Sequence, residues 1–261
     1  MLNDSIPVVM YHHVMPGDRE LNVTPELFEE QMAELKRKGW KTLSADEFLY
    51  LMENTKEKRK KCVLLTFDDG FYDNYLYAYP VLKKYKLRGV IFVITDFVRN
   101  EIKREKFVPC PHKEMWSLIF AHGRNDYLCT WKELREMSEE RVFDIESHGS
   151  THDIPYYIKQ RDYAQIREDL RKSKELIHRY LSKETYHLCW PKGAYDEKAL
   201  EIAVREGFRV LYTTERGVNT ENLNCIKRLP VKCRGADWLL PKLKIYSSSL
   251  LSSIYLKIRI R

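Results

Sequence analysis

Two adjacent carboxylates, Asp68 and Asp69, are the side chains of this sequence best placed to do chemistry. They follow the apolar run Cys62–Leu65, which predicts that a buried strand ends at the acids. Neighbouring side chains on a strand point to opposite faces, but a turn opened by Gly70 can bring both acids to the strand's carboxyl end. The pair therefore predicts a site at which one acid holds a metal ion and the other moves a proton.

A second candidate pair, His148 and His152, lies four residues apart directly after a predicted strand at 142–147. This spacing puts two imidazoles on one side of a helical turn, which suits two metal ligands, although capping or surface roles are the alternative. Strand carboxyl ends share one mouth in a parallel β/α barrel, so the two pairs would meet there. One carboxylate and two imidazoles leave a zinc-like ion open positions for water and substrate.

The elements that must position these residues alternate short apolar strands with amphipathic helices, the pattern of parallel β/α units. We predict strands at residues 7–12, 62–67, 89–95, 142–147, 186–191, 208–213 and 226–231. Helices are predicted to begin after the N-caps Thr24, Ser44, Asp73, Thr130 and Asp196. Seven or eight such units predict an α/β fold of the (β/α)7-8 barrel type.

Residues 96–129 interrupt this alternation. The segment is too long and too mixed for a tight turn, so it is either a lid or substrate-facing insertion, or an elaboration of the surface. Its apolar group Met115, Trp116, Leu118 and Ile119 either covers the site or packs the loop.

The length of 261 residues suits one barrel domain, which we place at 1–238, followed by a tail at 239–261. The tail contains five basic residues and no acid, and without them the net charge of +7 falls to about +2. A body this close to neutral argues against a nucleic-acid partner, which would require a broad basic face.

The tail has its own pattern, because Leu250, Ile254 and Ile258 recur every four residues. This amphipathic pattern with basic residues at both ends is typical of an interfacial helix on an anionic membrane surface. Packing onto the barrel or binding a protein partner are the alternatives.

The six cysteines show no close paired spacing, which predicts thiols in a reducing cytoplasm. The opening Met1–Pro7 has no basic stretch followed by an apolar one, and no run approaches the ~20 apolar residues of a membrane span. We expect a cytoplasmic protein, peripheral on the inner membrane if the tail binds lipid.

The two motifs together resemble those of the polysaccharide deacetylases of carbohydrate esterase family 4, which contain the NodB-homology domain. In that family the run matched by Thr66–Gly70 supplies a general base and then a metal ligand, roles that would fall on Asp68 and Asp69. The family's two histidines at a spacing of four are matched by His148 and His152, which would complete the metal site. The resemblance implies a distorted (β/α) barrel and a divalent metal, Zn²⁺ first and Co²⁺ or Ni²⁺ as alternatives.

The family's third motif is matched in part by the run Cys189–Gly193, so the resemblance implies that Pro191, Lys192 and Gly193 contact the substrate. An Arg expected two residues before this proline is replaced by Cys189. Arg228 is our candidate for orienting the base in its place, although it could also be a surface charge. Lys192 stands where an aromatic residue is usual; its backbone N–H can still face an oxyanion, and its side chain can contact an anionic group.

The family's usual Leu-x-His acid motif is absent, since the last histidine of the chain is His187. The run Tyr11–His13 instead resembles the circularly permuted poly-N-acetylglucosamine deacetylase branch, in which this histidine comes first in sequence. That branch makes His12 the expected acid, with His13 as the alternative. Tyr72 and Trp131 are expected to contact sugar, although each could also be a core residue. The resemblance covers about residues 7–232.

The predicted function is metal-dependent removal of an acetyl group from an N-acetylhexosamine, with N-acetylglucosamine the first choice. A tail that binds the membrane surface and a cytoplasmic location together predict that the glycan partner is a lipid-linked glycan or a lipopolysaccharide core. The alternatives are a deacetylase of a soluble or exported polysaccharide, such as poly-N-acetylglucosamine, and a non-catalytic glycan-binding relative.

Overall fold

The computed structural model describes residues 4–17, 20–54, 59–104 and 106–259. Its strands are β1 (Val8–Tyr11), β2 (His13–Val14), β3 (Asn22–Val23), β4 (Lys41–Thr42), β5 (Cys62–Phe67), β6 (Gly89–Val93), β7 (Phe143–Ser147), β8 (His187–Cys189), β9 (Val210–Tyr212) and β10 (Leu229–Pro230). Its α-helices are α1 (Pro25–Arg37), α2 (Ala45–Glu53), α3 (Tyr79–Tyr85), α4 (His112–His122), α5 (Trp131–Glu139), α6 (Ile154–Gln160), α7 (Tyr163–Leu181), α8 (Glu197–Arg205), α9 (Ala236–Tyr246) and α10 (Ser249–Arg259).

The main sheet is parallel and follows the strand order β10-β1-β5-β6-β7-β8-β9, with β4 added beside the start of β5. Ile226 closes the ring, because it pairs with Tyr212 of β9 while the segment continues into β10, which pairs with β1. A closure through one residue distorts the barrel. The predicted distorted (β/α) barrel is confirmed.

Helix starts follow the sequence signals closely. Thr24 accepts a hydrogen bond from the Leu27 amide, and both Ser44 and Thr130 form complete capping boxes with a glutamate three residues on. Asp73 is the exception, since its side chain makes no cap hydrogen bond to the π-helical turn Asn74–Ala78 that leads into α3. The prediction for Asp73 is wrong because its carboxylate is occupied by His13 and by the Val14 amide.

Both faces of the central strands are buried, as expected for a parallel sheet covered by helices. Val63, Leu65 and Phe67 of β5 belong to the cluster that packs against the surrounding helices. Leu64 belongs to a second cluster, in which inner-face residues of β1, β5, β6, β8 and β9 pack against residues of α2. Because side chains alternate along a strand, Thr66 and Asp68 continue the inner row that begins with Leu64.

Helices α9 and α10 lie in the region predicted as a separate tail. Leu239, Leu243 and Tyr246 of α9 are buried in the main cluster, so the first part of the tail packs against the barrel, and the expected boundary between 238 and 239 falls inside α9. In α10, Leu250 and Ile254 are 68% and 49% exposed. The Ile258 side chain and Arg261 lie outside the described residues. None of the described helices has the length and apolar character needed to cross a bilayer.

Candidate active site

A cavity of about 450 Å³ lies at the carboxyl ends of the barrel strands. The residues that follow β1, β5, β7, β8 and β9 line it, together with part of α4 and the β2–β3 loop. They are His12, Leu21, Asp68, Asp69, His112, Lys113, Trp116, Phe120, His148, His152, Lys192 and Thr214. The acid pair and the histidine pair therefore share one cavity, as the motif spacing predicts.

Asp69, His148 and His152 direct their ligand atoms to a common point. Asp69 Oδ1 lies 3.3 Å from His148 Nε2 and 3.7 Å from His152 Nε2, and all three ligand atoms are within 4.8 Å of one another. Ligands at about 2.1 Å around a tetrahedral ion lie about 3.4 Å apart, so this set fits a divalent cation such as Zn²⁺. The ligand types match as well, since imidazole and carboxylate are both common zinc ligands.

Neighbouring groups hold these ligands in place. The Cys189 carbonyl lies 2.6 Å from His148 Nδ1, which fixes the hydrogen there and leaves Nε2 free to face Asp69. The Trp116 ring stacks on His152 with centroids 5.6 Å apart. Asp169, buried on α7, accepts hydrogen bonds from the Ser150 and Thr151 amides at 2.7 and 2.9 Å and from the Thr151 hydroxyl at 2.6 Å. The loop between the histidines is thus anchored to α7.

The backbone at two of the three ligands is in the left-handed region, with φ of 74° at Asp69 and 70° at His152. Side chains other than glycine rarely adopt this conformation, and such residues concentrate at functional sites. At Asp69 it turns the chain sharply after β5, so that Asp68 and Asp69 both reach the cavity. The turn predicted from Gly70 therefore begins one residue earlier, at Asp69.

Asp68 is held by Arg228 through a two-point ion pair. Arg228 Nη1 donates to Asp68 Oδ1 at 2.6 Å and Nη2 donates to Oδ2 at 2.8 Å, while Nε donates to the Thr213 carbonyl at 2.8 Å. The Arg228 side chain has no exposed surface. The sequence left two roles open for Arg228, a surface charge and the partner of the base. In the structure it contacts Asp68. The Cys189 thiol lies 3.7 Å from the same carboxylate.

The two histidines after β1 have different surroundings. His12 lines the cavity, and its Nε2 lies 3.9 Å from Asp68 Oδ2. His13 is fully buried, with Nδ1 2.8 Å from Asp73 Oδ2 and Nε2 3.0 Å from His112 Nδ1. Of the two, His12 is the one that can reach a bound molecule.

The charges of the site follow from burial and ion pairing. Burial alone would raise the pKa of Asp68, but Arg228 holds it below its ordinary value. Burial also acts to raise the pKa of Asp69, and His148 and His152 beside it lower that pKa strongly. Burial lowers the pKa of His152 to about 4 and lowers that of His12, so both imidazoles are neutral at neutral pH. Burial acts to lower the pKa of His148 as well, but Cys189 and Asp69 beside it raise that pKa well above its ordinary value, so this ring is charged without a metal. Because a metal ligand must be deprotonated, binding of a cation would release a proton from His148.

The third motif forms a tight turn after β8, Pro191–Gly193. Lys192 lines the cavity with φ of 56°, while Pro191 is buried below it. Gly193 has φ of 69°, and a Cβ there would overlap the Thr214 hydroxyl and lie 2.9 Å from the Thr214 amide nitrogen. The glycine is therefore required by the contact between this turn and the residue after β9. The Gly193 amide donates to the Trp190 carbonyl at 2.8 Å.

Two expected sugar-contacting residues do not line this cavity. Trp131 is buried at the start of α5 and stacks on Tyr180 with centroids 4.6 Å apart. Tyr72 lies under the Arg104 guanidinium, 3.4 Å from the ring centroid, and stacks on Tyr75. Both rings therefore make packing contacts within the protein.

The insertion at 96–129 supplies cavity residues that the sequence did not single out for chemistry. Helix α4 places His112, Lys113, Trp116 and Phe120 on the cavity wall, which supports the substrate-facing interpretation of the insertion. Of these four, only Trp116 was considered as a cover for the site. A histidine at the first position of a short helix gives no motif, so only the fold could show that His112 reaches His13.

A parallel β/α barrel with a carboxylate and two histidines at its mouth belongs to the class of barrels that carry a candidate metal site at the strand carboxyl ends. Residues 55–211 match the family model for polysaccharide deacetylase. The chain belongs to the polysaccharide deacetylase family, as the motifs predicted.

Similar proteins agree with this assignment. YxkH of Bacillus subtilis (strain 168), whose name refers to polysaccharide deacetylase, is 31% identical over 212 residues, or 81% of this chain and 65% of that protein. The poly-beta-1,6-N-acetyl-D-glucosamine N-deacetylase of Staphylococcus aureus (strain MSSA476) is 28% identical over 213 residues, or 79% of this chain and 66% of that protein. The chain thus spans a little under two thirds of the length of these relatives.

Solved structures show the same fold over nearly the whole chain. The deacetylase PplD of Streptococcus pyogenes, solved in complex with acetate, superposes with a TM-score of 0.76 and 26% identity, covering 92% of this chain and 98% of that one. IcaB from Ammonifex degensii superposes with a TM-score of 0.74 and 23% identity, covering 94% and 98%. The second likeness concerns the fold alone.

Proposed function

We propose that this protein is a metal-dependent de-N-acetylase that removes the acetyl group from an N-acetylhexosamine. The observation that supports this most is the arrangement in one cavity of a carboxylate–histidine ligand set, a second carboxylate held by Arg228, and His12 beside it. Amide hydrolysis requires an activated water, stabilisation of the developing oxyanion and protonation of the leaving amine. The cavity contains a candidate for each of these requirements.

The metal would be held by Asp69, His148 and His152, and we propose Zn²⁺, with Co²⁺ and Ni²⁺ as alternatives. When bound, such an ion lowers the pKa of water and polarises the acetyl carbonyl. The backbone N–H of Lys192 is our candidate for a further contact to the carbonyl oxygen. Lys192 also places a positive charge on the cavity wall, which favours substrates carrying an anionic group near the acetamido sugar.

The proton path would use Asp68 and His12. Asp68 takes a proton from the attacking water, and Arg228 fixes the direction in which its two oxygens face. His12 is neutral at neutral pH because burial lowers its pKa, so it must receive a proton before it can donate one. His12 Nε2 and Asp68 Oδ2 are 3.9 Å apart, so the proton would pass from Asp68 to His12 through one bridging water and then from His12 to the leaving nitrogen.

N-acetylglucosamine is the proposed sugar. The Staphylococcus aureus relatives are named for their action on poly-beta-1,6-N-acetyl-D-glucosamine, and they match 79% of this chain. The same relatives make a poly-N-acetylglucosamine chain the second candidate substrate.

A lipid-linked glycan or a lipopolysaccharide core at the cytoplasmic membrane face is the first candidate. The exposed Leu250 and Ile254 of α10 would lie on the bilayer, and the exposed Lys244 and Lys257 would face anionic headgroups. The six cysteines are all thiols, which is compatible with a reducing compartment.

The activity is tested by acetate release from purified protein supplied with Zn²⁺. The acceptors are membrane glycolipids and oligomers of β-1,6-linked N-acetylglucosamine, and mass spectrometry follows the loss of one acetyl unit. We expect the product to disappear in Asp68→Asn and after treatment with EDTA, and to return when Zn²⁺ is restored. Acetate release that persists in Asp68→Asn, or no release from any acceptor, would exclude the proposed activity. Acetate release from the oligomers alone would identify poly-N-acetylglucosamine as the substrate class.

Membrane contact is tested separately by flotation with vesicles containing anionic or only zwitterionic lipids. The double variant Leu250→Asp/Ile254→Asp should lose binding to the anionic vesicles. Val204→Asp is the matched control, because Val204 is 47% exposed on α8 of the barrel body. If the control and the double variant bind equally, α10 has another role.

A further inference from the structure

Three polar side chains form a continuous row from the interior to the active-site cavity. Asp73 Oδ1 accepts the Val14 amide at 2.8 Å, and Asp73 Oδ2 lies 2.8 Å from His13 Nδ1. His13 Nε2 in turn lies 3.0 Å from His112 Nδ1. Asp73 and His13 are fully buried, whereas His112 is on the cavity wall. The three side chains come from three separate segments of the fold.

The order of hydrogens along this row follows from donor and acceptor chemistry. A carboxylate only accepts, so the hydrogen of the first contact lies on His13 Nδ1. When the His13 ring carries only this hydrogen, its Nε2 has a lone pair; a second hydrogen there would reverse the contact with His112, and the tautomer measured for His112 separates the two cases. His112 Nδ1 therefore carries the hydrogen of the second contact. The remaining nitrogen of His112, Nε2, then has a lone pair.

This lone pair has no hydrogen-bond partner among the side chains and backbone groups that the structure describes. Burial lowers the pKa of His112 to about 4, so the ring keeps its lone pair at neutral pH. Among the other polar groups of the cavity, Lys113 and Lys192 only donate, and the proposed reaction uses Asp68 to accept from the attacking water. A sugar presents hydroxyl donors that need such an acceptor.

We propose that His112 binds the substrate, its Nε2 accepting a hydrogen bond from a sugar hydroxyl, with Asp73 and His13 as positioning residues that fix its tautomer and orientation. The inference rests on the proposed function, because it names a contact of that same site. The His112 ring lies 5.7 Å from that of His12, centroid to centroid. The hydroxyl that it binds would therefore lie close to the leaving nitrogen, which gives the contact a role in aligning the amide.

Two conservative variants separate binding by His112 from a purely structural role. Asn places its amide where His112 has Nδ1, so His112→Asn keeps the contact to His13 and removes the acceptor from the cavity. Gln places its amide where His112 has Nε2, so His112→Gln keeps an acceptor in the cavity and removes the contact to His13. We expect kcat/KM on the sugar amide to fall about 10- to 100-fold in His112→Asn. The fall in His112→Gln should be at most about 5-fold, with equal zinc content in both variants.

The opposite ranking, with His112→Asn active and His112→Gln impaired, would show that His112 only supports His13 and would overturn the inference. Activity toward 4-nitrophenyl acetate provides a further check, because this ester has no sugar hydroxyl. The loss in His112→Asn should be at least about tenfold smaller on the ester than on the sugar amide. Equal losses on both substrates would contradict a hydroxyl contact.

The tautomer is measured independently by two-bond ¹H–¹⁵N correlation spectra of the wild-type protein at pH 7. We expect the His112 hydrogen on Nδ1, and a hydrogen on Nε2 would overturn the proposed acceptor. These outcomes remain distinct from failure of the proposed function. A wild-type protein that releases no acetate refutes the activity, whereas an active wild-type protein with a fully active His112→Asn variant refutes only the role of His112.

Discussion

Arg228 and Asp68 form a buried ion pair in which Nη1 donates to Oδ1 at 2.6 Å and Nη2 donates to Oδ2 at 2.8 Å. The two residues are 160 positions apart in the chain, and the arginine comes from the segment that closes the barrel. The family pattern expects an arginine two residues before Pro191, where this chain has Cys189. The Cys189 thiol is 3.7 Å from the same carboxylate, so the arginine approaches that acid from a different part of the sequence.

Removing Arg228 should destabilise the protein strongly. In Arg228→Met the Asp68 carboxylate is left buried without its partner, which costs about 3–5 kcal/mol of unfolding free energy. In the double variant Arg228→Met/Asp68→Asn no unpaired charge remains, so the two effects should be less than additive by about 1–3 kcal/mol. Urea denaturation of the wild type and three variants measures this coupling. Strict additivity would show that the pair contributes no mutual stabilisation.

The stability difference between the wild type and Arg228→Met should depend on pH. In the wild type the pKa of Asp68 is lowered, so the ion pair contributes stability above about pH 4 that is lost as the pH falls. In Arg228→Met burial still acts to raise the pKa, and only the smaller effects of His12 and His148 oppose it, so we expect the variant to lose stability as the pH rises and Asp68 must ionise. The difference should therefore widen from pH 4 to pH 7. Denaturation in EDTA, which excludes a contribution from metal, should show this trend, and a constant difference would contradict it.

Residues that follow predicted strands were found from sequence because strand carboxyl ends converge in this fold. Asp68, Asp69, His12, His148, His152 and Lys192 all belong to this group and all line the cavity. The helix caps at Thr24, Ser44, Thr130 and Asp196 were predicted correctly as well, because capping depends on residues three positions apart. Local and strand-end signals therefore predicted the barrel and most of the site.

The remaining site residues depend on contacts between distant segments. Asp169 lies in the middle of α7, where a carboxylate usually faces solvent, and only the fold shows that it binds the Ser150 and Thr151 amides. Asp73 has the position of an N-cap, but the tertiary contact with His13 displaces that local role. Tyr72 was expected to contact sugar because it follows the acid pair, and Trp131 because of the family resemblance. In the structure Tyr72 packs against Arg104 and Trp131 against Tyr180.

Loss of the Asp169 carboxylate should weaken metal binding without removing a ligand. In Asp169→Asn the amide NH₂ group cannot accept hydrogen bonds, so the loop that connects His148 and His152 loses part of its anchor. Changes to such supporting groups typically reduce metal affinity about 10- to 100-fold. Asp153→Asn is the control, since that carboxylate is exposed in the same loop and makes no cap hydrogen bond. Competition titration with a zinc chelator would show equal affinities for the two variants if Asp169 had no such role.

Replacement by alanine should destabilise the protein more at Gly193 than at Gly39. Gly193 and Gly39 have φ of +69° and +70°, but a Cβ at Gly39 meets nothing within 4 Å, whereas at Gly193 it collides with Thr214. Gly39→Ala should cost only the conformational term, about 1–2 kcal/mol. Gly193→Ala should cost more and also reduce kcat/KM at least about tenfold, because Lys192 and Thr214 line the cavity. Similar melting temperatures for the two variants would contradict the predicted collision.

His12 should matter most when the leaving group is a poor one. An amine must be protonated as it leaves, and a positioned acid typically contributes about 10²- to 10⁴-fold to such a step, whereas 4-nitrophenolate leaves readily without a proton. His12→Gln should therefore lower kcat on the sugar amide at least about 100-fold and lower the hydrolysis of 4-nitrophenyl acetate far less. His122→Gln, at an exposed position of α4, controls for the substitution itself. Equal losses on amide and ester, at unchanged zinc content, would remove His12 from the role of acid and assign it to water activation with Asp68.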